Sequence, residues 1–236
     1  MSLSREAGDP GLVVITGAAR GIGRAAALAF AQRGLSVALL GHAGARLEQA
    51  ADSVRSLGVL ARAFACDVSN ADGVERAAAE VLASMGVPRV VVNNAGIVAR
   101  GKRVHETSAE DWDRVLAVNL RGPFLVSRAF LPAMLAAGRG RFVHVSSISA
   151  TIGSPGAASY AASKWGLVGL AKSLAEELRG TGLQSVAVLP GSVDTDMLVG
   201  SGFEPQMSAD DVARTIVFAA LDAPDALTGS AVEMFG

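Results

Sequence analysis

A tyrosine and a lysine four positions apart have the clearest chemical potential in this sequence. Tyr160 and Lys164 follow Ser147, which ends an apolar stretch at residues 141–147. On a helix, side chains four residues apart share one face, so a phenol and an ammonium can meet beside a hydroxyl. Lowering a phenol pKa from ~10 to roughly 7 takes about 4 kcal/mol, and one cation about 4 Å away supplies that at an effective dielectric of about 20. An isolated pair of this kind is usually an ordinary surface pair, so the hypothesis of a proton-transfer site depends on the accompanying motifs.

A glycine-rich turn near the N-terminus is a candidate phosphate site. It lies between an apolar run at residues 12–16 and a helical pattern at residues 24–32. Glycines let the backbone approach a pyrophosphate closely, and a helix start offers unpaired N–H groups at its positive end. A plain tight turn is the alternative, but this placement favours a phosphate cradle. Its predicted cofactor-binding residues are Gly17, Ala19, Arg20, Gly21, Ile22 and Gly23.

Strand-like and helical patterns alternate along the chain and predict the elements that must position these residues. Candidate strands lie at residues 12–16, 36–40, 61–65, 90–93, 141–147, 185–189 and 231–235. Candidate helices lie at residues 21–33, 45–57, 71–85, 109–137, 157–179 and 209–221. Residues 107–110 and 208–211 have the form of capping boxes. This alternation, with nearly continuous apolar strands, predicts an α/β fold with a parallel sheet covered on both faces, in one domain at residues 11–236.

The distinctive residues follow the predicted strands. In open parallel sheets, ligands bind beyond the carboxyl ends of the strands. Gly17, Gly41 with His42, Asp67 with Val68, Asn94 with Ala95 and Gly96, Ser147, and Pro190 with Gly191 follow the first six strands in that order. One edge of the sheet is therefore predicted to carry the site.

Composition argues against several classes of protein. The chain has 236 residues, 50% of them hydrophobic, and a net charge of −1 from interspersed basic and acidic residues. This balance predicts no nucleic-acid partner and no membrane binding. The single cysteine, Cys66, cannot form an internal disulfide, which fits a reducing cytoplasm. Residues 1–10 carry charges without an apolar run and are expected to be a flexible leader.

No metal site is expected, because no cluster of His, Cys, Asp and Glu has ligand spacing. His144 lies among apolar strand residues, so we interpret it as a core histidine. His105 lies in a polar loop without an evident partner, and we assign it no catalytic role.

Together, these motifs resemble those of the short-chain dehydrogenase/reductase family. The resemblance runs from about residue 11 to the end, through residues 16–23, 93–96, 119, 147, 160–164 and 190–195 in the family's order. It implies a doubly wound Rossmann-type sheet of seven strands. It also implies an enzyme that transfers a hydride between a nicotinamide and a ketone or secondary alcohol.

The resemblance also implies roles for individual residues. Tyr160 would be the acid/base, Lys164 would lower its pKa and bind the nicotinamide ribose, and Ser147 would hydrogen-bond the substrate oxygen. Asn119 resembles the family's asparagine that holds a water in the proton relay, with an ordinary helix asparagine as the alternative. The remaining predicted cofactor contacts are Asp67 and Val68 at the adenine, Asn94, Ala95 and Gly96 near the adenine ribose, Thr195 at the carboxamide, and Pro190, Gly191 and Val193.

The end of the second strand bears on the choice of cofactor. A carboxylate there would bind the ribose 2′-hydroxyl of NAD and repel the 2′-phosphate of NADP. Gly41 occupies that position, while Arg20 and His42 could face a phosphate. NADP(H) is therefore expected over NAD(H), although Arg20 also occurs in relatives that use NAD.

The substrate is less constrained. The chain resembles acyl-carrier-linked 3-oxoacyl reductases in Arg20 and residues 173–178, but Gly138 and Thr181 stand where those enzymes often have arginine. A short segment after Thr195 is expected to form a small lid, and a broad-range reductase of ketones, 3-oxo esters or acyl thioesters follows. The predicted substrate contacts are Ser149, Met197, Leu198, Phe203 and Met207.

Three alternatives stay open. One is an NAD-dependent sugar, steroid or polyol dehydrogenase, one is a nucleotide-sensing protein without chemistry, and one is a lid segment that packs on a neighbouring subunit. The family resemblance, with small residues at positions 157–171, also predicts a homotetramer.

Overall fold

Seven parallel strands form the central sheet of the protein, of which a computed structural model describes residues 11–236. The strands of this sheet are β1 (Leu12–Thr16), β2 (Ser36–Gly41), β3 (Ala61–Ala65), β4 (Val90–Asn93), β5 (Gly140–Val145), β6 (Leu183–Pro190) and β9 (Ala231–Met234). Two further short strands, β7 (Val193–Asp194) and β8 (Met207–Ser208), pair with each other. The sheet order is β3-β2-β1-β4-β5-β6-β9, so the predicted parallel α/β fold is confirmed. The expected leader at residues 1–10 lies outside the described residues.

Helices cover both faces of the sheet. They are α1 (Gly21–Gln32), α2 (Ala45–Arg55), α3 (Ala71–Met85), α4 (Ala109–Leu116), α5 (Gly122–Ala137), α6 (Ala158–Glu177) and α7 (Ala209–Val217). Alternate residues of β1 explain the two layers. Val13 and Ile15 join the apolar cluster that includes α1 and α7, whereas Leu12 and Val14 join the cluster that includes α3 and α5. A strand buried on both faces is therefore apolar at every position, as the sequence pattern indicated.

The helix predicted at residues 109–137 is interrupted. A π-helical segment, Ala117–Arg121, separates α4 from α5 and contains the fully buried Asn119. Such one-turn π segments insert an extra residue and are frequent at functional sites. The prediction of a single continuous helix was therefore wrong at the residues that place Asn119. A second π-helical segment, Phe218–Asp222, follows α7 in the same way.

The two predicted capping boxes have different outcomes. At α7 the box is confirmed, since Ser208 Oγ accepts from Asp211 N at 3.2 Å and Asp211 Oδ2 accepts from Ser208 N at 2.8 Å. At α4 the predicted box was one residue too early. Ser108 is the N-cap there and accepts from Asp111 N at 3.1 Å. Thr107 instead donates its hydroxyl hydrogen to the carbonyl oxygen of Arg103.

The strand order places a switch point between β1 and β4. From β1 the chain winds outward through β2 and β3, and β4 then begins the opposite half of the sheet. Loops after these neighbouring strands diverge, and the crevice between them is where such sheets bind ligands. The fold therefore brings the residues that follow β1, β4, β5 and β6 to one edge.

Candidate active site

The glycine-rich turn after β1 is packed against the loop after β4. Gly17 has φ +65°, and a Cβ added there would lie 2.9 Å from the Cα of Ala95. A Cβ on Gly23 would overlap the carbonyl oxygen of Gly17. Gly21 also has a positive φ, of +51°. Only glycine fits this geometry, which leaves the N-terminus of α1 open to a pyrophosphate and suits a dinucleotide.

Thr16 holds the two loops together, a role that the sequence analysis did not assign. Its Oγ1 accepts hydrogen bonds from the backbone N–H groups of Asn94 and Ala95, each at 3.0 Å. The Asn94 side chain donates back to the carbonyl oxygen of Thr16 at 2.9 Å. The position of Thr16 between a buried strand and the first glycine was the available signal. The Thr16 hydroxyl therefore fixes Asn94 and Ala95 against the glycine-rich turn, and their contact with a cofactor stays a prediction.

Asn119 connects the loop after β4 to α6. Its Oδ1 accepts from Ile97 N and its Nδ2 donates to Ile97 O, both at 2.8 Å. Nδ2 also lies 3.1 Å from Ser163 Oγ, which donates to the carbonyl oxygen of Tyr160 at 2.6 Å. A Cβ on Gly96 would lie 3.5 Å from Asn119 Oδ1 and 3.6 Å from Lys164 Nζ. Asn119, Gly96 and Lys164 are thus neighbours, and Ser163 is a further member that the sequence analysis missed.

Lys164 is buried on the inner face of α6. Its exposed fraction is 4%, and its Nζ donates to the carbonyl oxygen of Val145 at 2.9 Å. Ser146 Oγ donates to the backbone carbonyl of Lys164 at 2.9 Å and fixes the helix against β5. Burial lowers the pKa of Lys164 to about 8. The ammonium lies 5.6 Å from the centre of the Tyr160 ring.

The surroundings of Tyr160 shift its pKa in opposite directions. Burial raises the pKa of its phenol, whereas a hydrogen bond from Ser147 and the positive charge of Arg100 lower it. The net direction is upward. A cation about 4 Å from the phenol predicted that Lys164 would lower this pKa. The prediction was wrong in direction, because burial raises the pKa of Tyr160 by more than the nearby charges lower it.

Ser147 and Ser149 lie together in the turn after β5. Ser147 Oγ accepts from the backbone N–H of Ser149 at 3.1 Å, and Ser154 Oγ donates to Ser149 Oγ at 3.2 Å. Ser147 is 8% exposed. The structure therefore brings Ser147 to Tyr160, and it places Ser149 beside Ser147 at the same edge.

The end of β2 presents no carboxylate. A Cβ on Gly41 would lie 3.3 Å from Leu47 Cδ1, and His42 is exposed next to it. Asp67, after β3, has its pKa lowered chiefly by hydrogen bonds from Ser69, with a smaller contribution from the charge of His42. Val68 is buried behind it. These residues lie at the ends of the neighbouring strands β2 and β3, and their contact with the adenosine stays a prediction.

Arg20 has a partner that the sequence analysis did not foresee. Its Nη1 lies 2.5 Å from Asp196 Oδ2, and the two side chains are 64% and 68% exposed. The neighbouring Thr195 faces the same turn, since a Cβ on Gly21 would lie 3.3 Å from Thr195 Cγ2. The segment after β6 therefore closes over the glycine-rich turn.

The other predicted residues of this segment lie close by. Pro190 ends β6, and Gly191 N donates to Met234 O at 2.8 Å. Val193 is buried in β7.

The predicted lid contacts differ in exposure. Met197 is 38% exposed and Phe203 is 72% exposed, while Leu198 is half-buried. Met207 is 8% exposed and belongs to the core cluster, where its Cε would lie 3.7 Å from a Cβ on Gly191. The structure therefore does not group these four residues on one surface. Arg100 Nη1 donates to the carbonyl oxygen of Met197 at 2.6 Å and links the lid to the loop after β4.

The two histidines lie apart from this cluster. His144 is fully buried in β5, with Nδ1 3.3 Å from Asn93 Nδ2, and burial lowers its pKa to about 4. His105 is 75% exposed, and its Nε2 lies 3.9 Å from Glu106 Oε1. Burial raises the pKa of the Cys66 thiol to about 11, as expected for an unreactive core cysteine.

Within residues 11–236, no three His, Cys, Asp or Glu side chains are grouped closely enough to hold a metal ion. None of the helices formed by these residues is long and apolar enough to cross a membrane.

Comparisons with known proteins agree with this geometry. The chain matches the family model described as short chain dehydrogenase over residues 11–203. It is 34% identical over 237 residues to the 3-oxoacyl-[acyl-carrier-protein] reductase FabG of Staphylococcus aureus, covering 94% of this chain and 96% of that protein. It is 32% identical over 243 residues to 2-(S)-hydroxypropyl-CoM dehydrogenase 3 of Xanthobacter autotrophicus, covering 95% of each. The crystal structure of levodione reductase superposes with a TM-score of 0.91 at 26% identity and covers 97% of each chain.

Proposed function

Because this chain belongs to the short-chain dehydrogenase family and is an oxidoreductase that acts on CH–OH groups with NAD(P), we propose that it is an NADPH-dependent carbonyl or 3-oxoacyl reductase. The observation that carries the proposal is the meeting of Ser147, Tyr160 and Lys164 beside a glycine-rich turn that only glycines can form. A hydroxyl, a phenol and an ammonium at that edge can supply the proton and the hydrogen bonds that carbonyl reduction needs.

A nicotinamide held at this edge of the sheet would supply a hydride to the carbonyl carbon. Tyr160 donates a proton to the carbonyl oxygen, so that the ketone becomes a secondary alcohol. Ser147 donates a hydrogen bond to the same oxygen as negative charge develops on it. Burial favours the protonated form of Tyr160, which is the form that reduction requires.

Lys164 and Asn119 support this proton transfer. The Lys164 ammonium donates to Val145 O, and we propose that it also binds a ribose hydroxyl of the nicotinamide nucleotide. Asn119 uses its amide to hold Ile97 and Ser163, so its structural role is to fix the loop after β4 against α6. We assign the relay water to this place, near Asn119 and Lys164.

The preference for NADP(H) rests on the end of β2. Gly41 offers no carboxylate to repel a 2′-phosphate, and His42 is exposed beside it. The Asp196 carboxylate, 2.5 Å from Arg20 Nη1, offsets the positive charge that Arg20 would present to the phosphate. That ion pair is the specific observation that favours the second candidate, an NAD-dependent dehydrogenase of a sugar, steroid or polyol.

The substrate is proposed to be a medium-sized ketone, 3-oxo ester or acyl thioester, accepted with loose discrimination. Met197 and Phe203 lie on a short lid and expose apolar surface. A carrier-bound substrate is less favoured, because Arg179 near the expected carrier position is paired with Glu176 at 2.5 Å. The carrier would need to displace that partner.

We further propose a cytoplasmic homotetramer. Gly169 on α6 faces open space, and Trp165 and Phe124 are 55% and 45% exposed on neighbouring helices. Gly166 has a different explanation, since a Cβ there would lie 2.8 Å from Leu120 of the same chain. Light scattering at micromolar concentration checks the tetramer, and a monomer would contradict it.

A turnover screen tests the function directly. NADPH and NADH are each offered with acetoacetyl thioesters, small diketones and esters of 3-oxo acids in the reducing direction, and NADP⁺ and NAD⁺ with sugars and polyols in the oxidising direction. We expect NADPH with diketones and 3-oxo esters to give the highest kcat/KM. Turnover only with NAD⁺ and polyols would support the second candidate. One ketone favoured by more than about 10³-fold over its close analogues would contradict the loose lid.

A further inference from the structure

A cavity of about 220 Å³ lies next to the residues of the active site. One wall is the loop after β4 and the start of α4, and the other is the segment that leads into α6. Ser159, the residue before Tyr160, lines it. The complete lining is Ala99, Arg100, Lys102, Thr107, Asp111, Arg114, Gly156, Ala157, Ala158 and Ser159.

The charges that line this cavity are unbalanced. Three are basic, on Arg100, Lys102 and Arg114, and one is acidic, on Asp111. Asp111 is shared, with oxygens 2.8 Å from Lys102 Nζ and 2.9 Å from Arg114 Nη2. These contacts lower the pKa of Asp111, so it is ionised and offsets one of the three positive charges.

Arg100 is the cation without a counter-charge. Among residues 11–236, no carboxylate forms an ion pair with it. One of its N–H groups donates to Met197 O at 2.6 Å, which leaves the rest of the guanidinium fork for another acceptor. That bond places the guanidinium where the cavity meets the lid. Its charge also acts on the Tyr160 phenol, so the cavity and the reacting oxygen are electrostatically close.

We propose that this cavity binds an anionic end of the substrate, a carboxylate on a short chain from the reacting carbonyl, and that Arg100 is the residue that contacts it. The inference rests on the proposed function and adds that, among ketones, the enzyme prefers those that carry a carboxylate. A planar guanidinium fork matches a carboxylate geometrically, which favours this anion. The volume is sufficient for roughly seven water-sized groups at about 30 Å³ each, the size of an acid with a few carbons.

The first test compares each oxo acid with its methyl ester. The 4-oxo and 5-oxo acids are suitable, because 3-oxo acids lose carbon dioxide on standing. We expect the unmodified enzyme to favour the acid by tenfold or more in kcat/KM. Arg100→Gln should reduce that ratio to within threefold by lowering turnover of the acid alone, and Arg100→Lys should keep part of the preference. Arg103→Gln, which removes a charge from the same loop outside the cavity, should leave the ratio unchanged.

A second measurement does not depend on turnover. Binding of hexanoate and of hexanamide is followed by nuclear magnetic resonance titration of the unmodified full chain and of Arg100→Gln. Hexanoate should bind at least fivefold more weakly to Arg100→Gln, and more weakly to the unmodified protein at high salt. Hexanamide should not distinguish the two proteins. If the variant does not fold, the unmodified protein alone tests the proposal. It should bind hexanoate more tightly than hexanamide, and only the affinity for hexanoate should fall with salt.

Each remaining outcome is informative. In Arg100→Gln, turnover of the acid and of the ester could fall together while hexanoate binding is unchanged. That result would show that Arg100 only holds the lid in place, and it would overturn the proposal. Inorganic phosphate that binds more tightly than hexanoate would overturn the choice of a carboxylate. An enzyme that reduces esters without preferring acids would refute this inference and leave the proposed function intact. Failure to reduce any ketone while hexanoate still binds through Arg100 would refute only the proposed function.

Discussion

Replacing Asp196 by asparagine should strengthen NADPH binding and leave NADH binding unchanged. The substitution removes the carboxylate that lies 2.5 Å from Arg20 Nη1 and frees the guanidinium for a 2′-phosphate. Because the two side chains are 64% and 68% exposed, the pair contributes at most about 1 kcal/mol. That energy corresponds to a factor of about five in the dissociation constant, so we expect a twofold to fivefold gain at low salt. In 1 M salt the Debye length is about 3 Å, and the gain should disappear.

The assay is a direct titration of the protein with each cofactor in the absence of substrate. Asp194→Asn is the matched control, since Asp194 is exposed two residues earlier and forms no ion pair among residues 11–236. Equal gains for NADH and NADPH would show that Asp196 acts on the pyrophosphate and not on the 2′-phosphate. Weaker NADPH binding by Asp196→Asn, or the same gain in the control, would refute the reasoning.

Three further predictions address the reaction, the cofactor and stability. Tyr160→Phe should lower kcat by at least 10²-fold with NADPH binding nearly preserved, because it removes only the transferred proton, and a variant with more than about a tenth of normal kcat would contradict this. Gly41→Asp should reduce the ratio of kcat/KM for NADPH to that for NADH by at least tenfold, because it places a carboxylate against the 2′-phosphate. The new Cβ needs only a small movement of Leu47, so a thermal melt should show that this variant is folded. His144→Leu should flatten the pH dependence of stability. The pKa of His144 is about 4 in the folded protein and 6.5 in the unfolded chain, so the unfolded chain binds more protons between these values. The free energy of unfolding should therefore rise by about 3 kcal/mol from pH 4 to 6.5 in the unmodified protein. The same dependence of this free energy on pH in His144→Leu, measured by denaturant titration, would contradict the prediction.

The sequence was sufficient for the strands and for the edge that carries the site. Residues buried on both faces of a parallel sheet are apolar without alternation, so β1 and β4 were predicted with their observed bounds. Contacts to backbone atoms could not be predicted. Lys164 Nζ is held by Val145 O and Arg100 by Met197 O, and a carbonyl oxygen carries no signal in residue type. The π-helical segment around Asn119 was not predicted for a different reason: its pattern of apolar residues resembles that of an ordinary helix.

The charge on Arg100 connects the proposed anion site to the proton transfer. Burial raises the pKa of Tyr160, while Arg100 and Ser147 lower it. A carboxylate bound to Arg100 would offset the positive charge and so raise the phenol pKa further. Reduction requires the protonated phenol and loses rate as pH rises through that pKa, so an oxo acid should keep its kcat to higher pH than its methyl ester.

Profiles of kcat against pH for the two substrates measure this coupling, because kcat reports groups in the substrate complex. An upward displacement of about 0.5 pH unit corresponds to about 0.7 kcal/mol, within the range of an exposed charge. The pKa of Lys164 is about 8, and a nearby carboxylate would raise this pKa as well as that of the phenol, so the high-pH limb should move upward whichever group sets it. Arg100→Gln should bring the two profiles together. Coincident high-pH limbs in the unmodified enzyme would show that a bound substrate anion does not affect the Tyr160 proton.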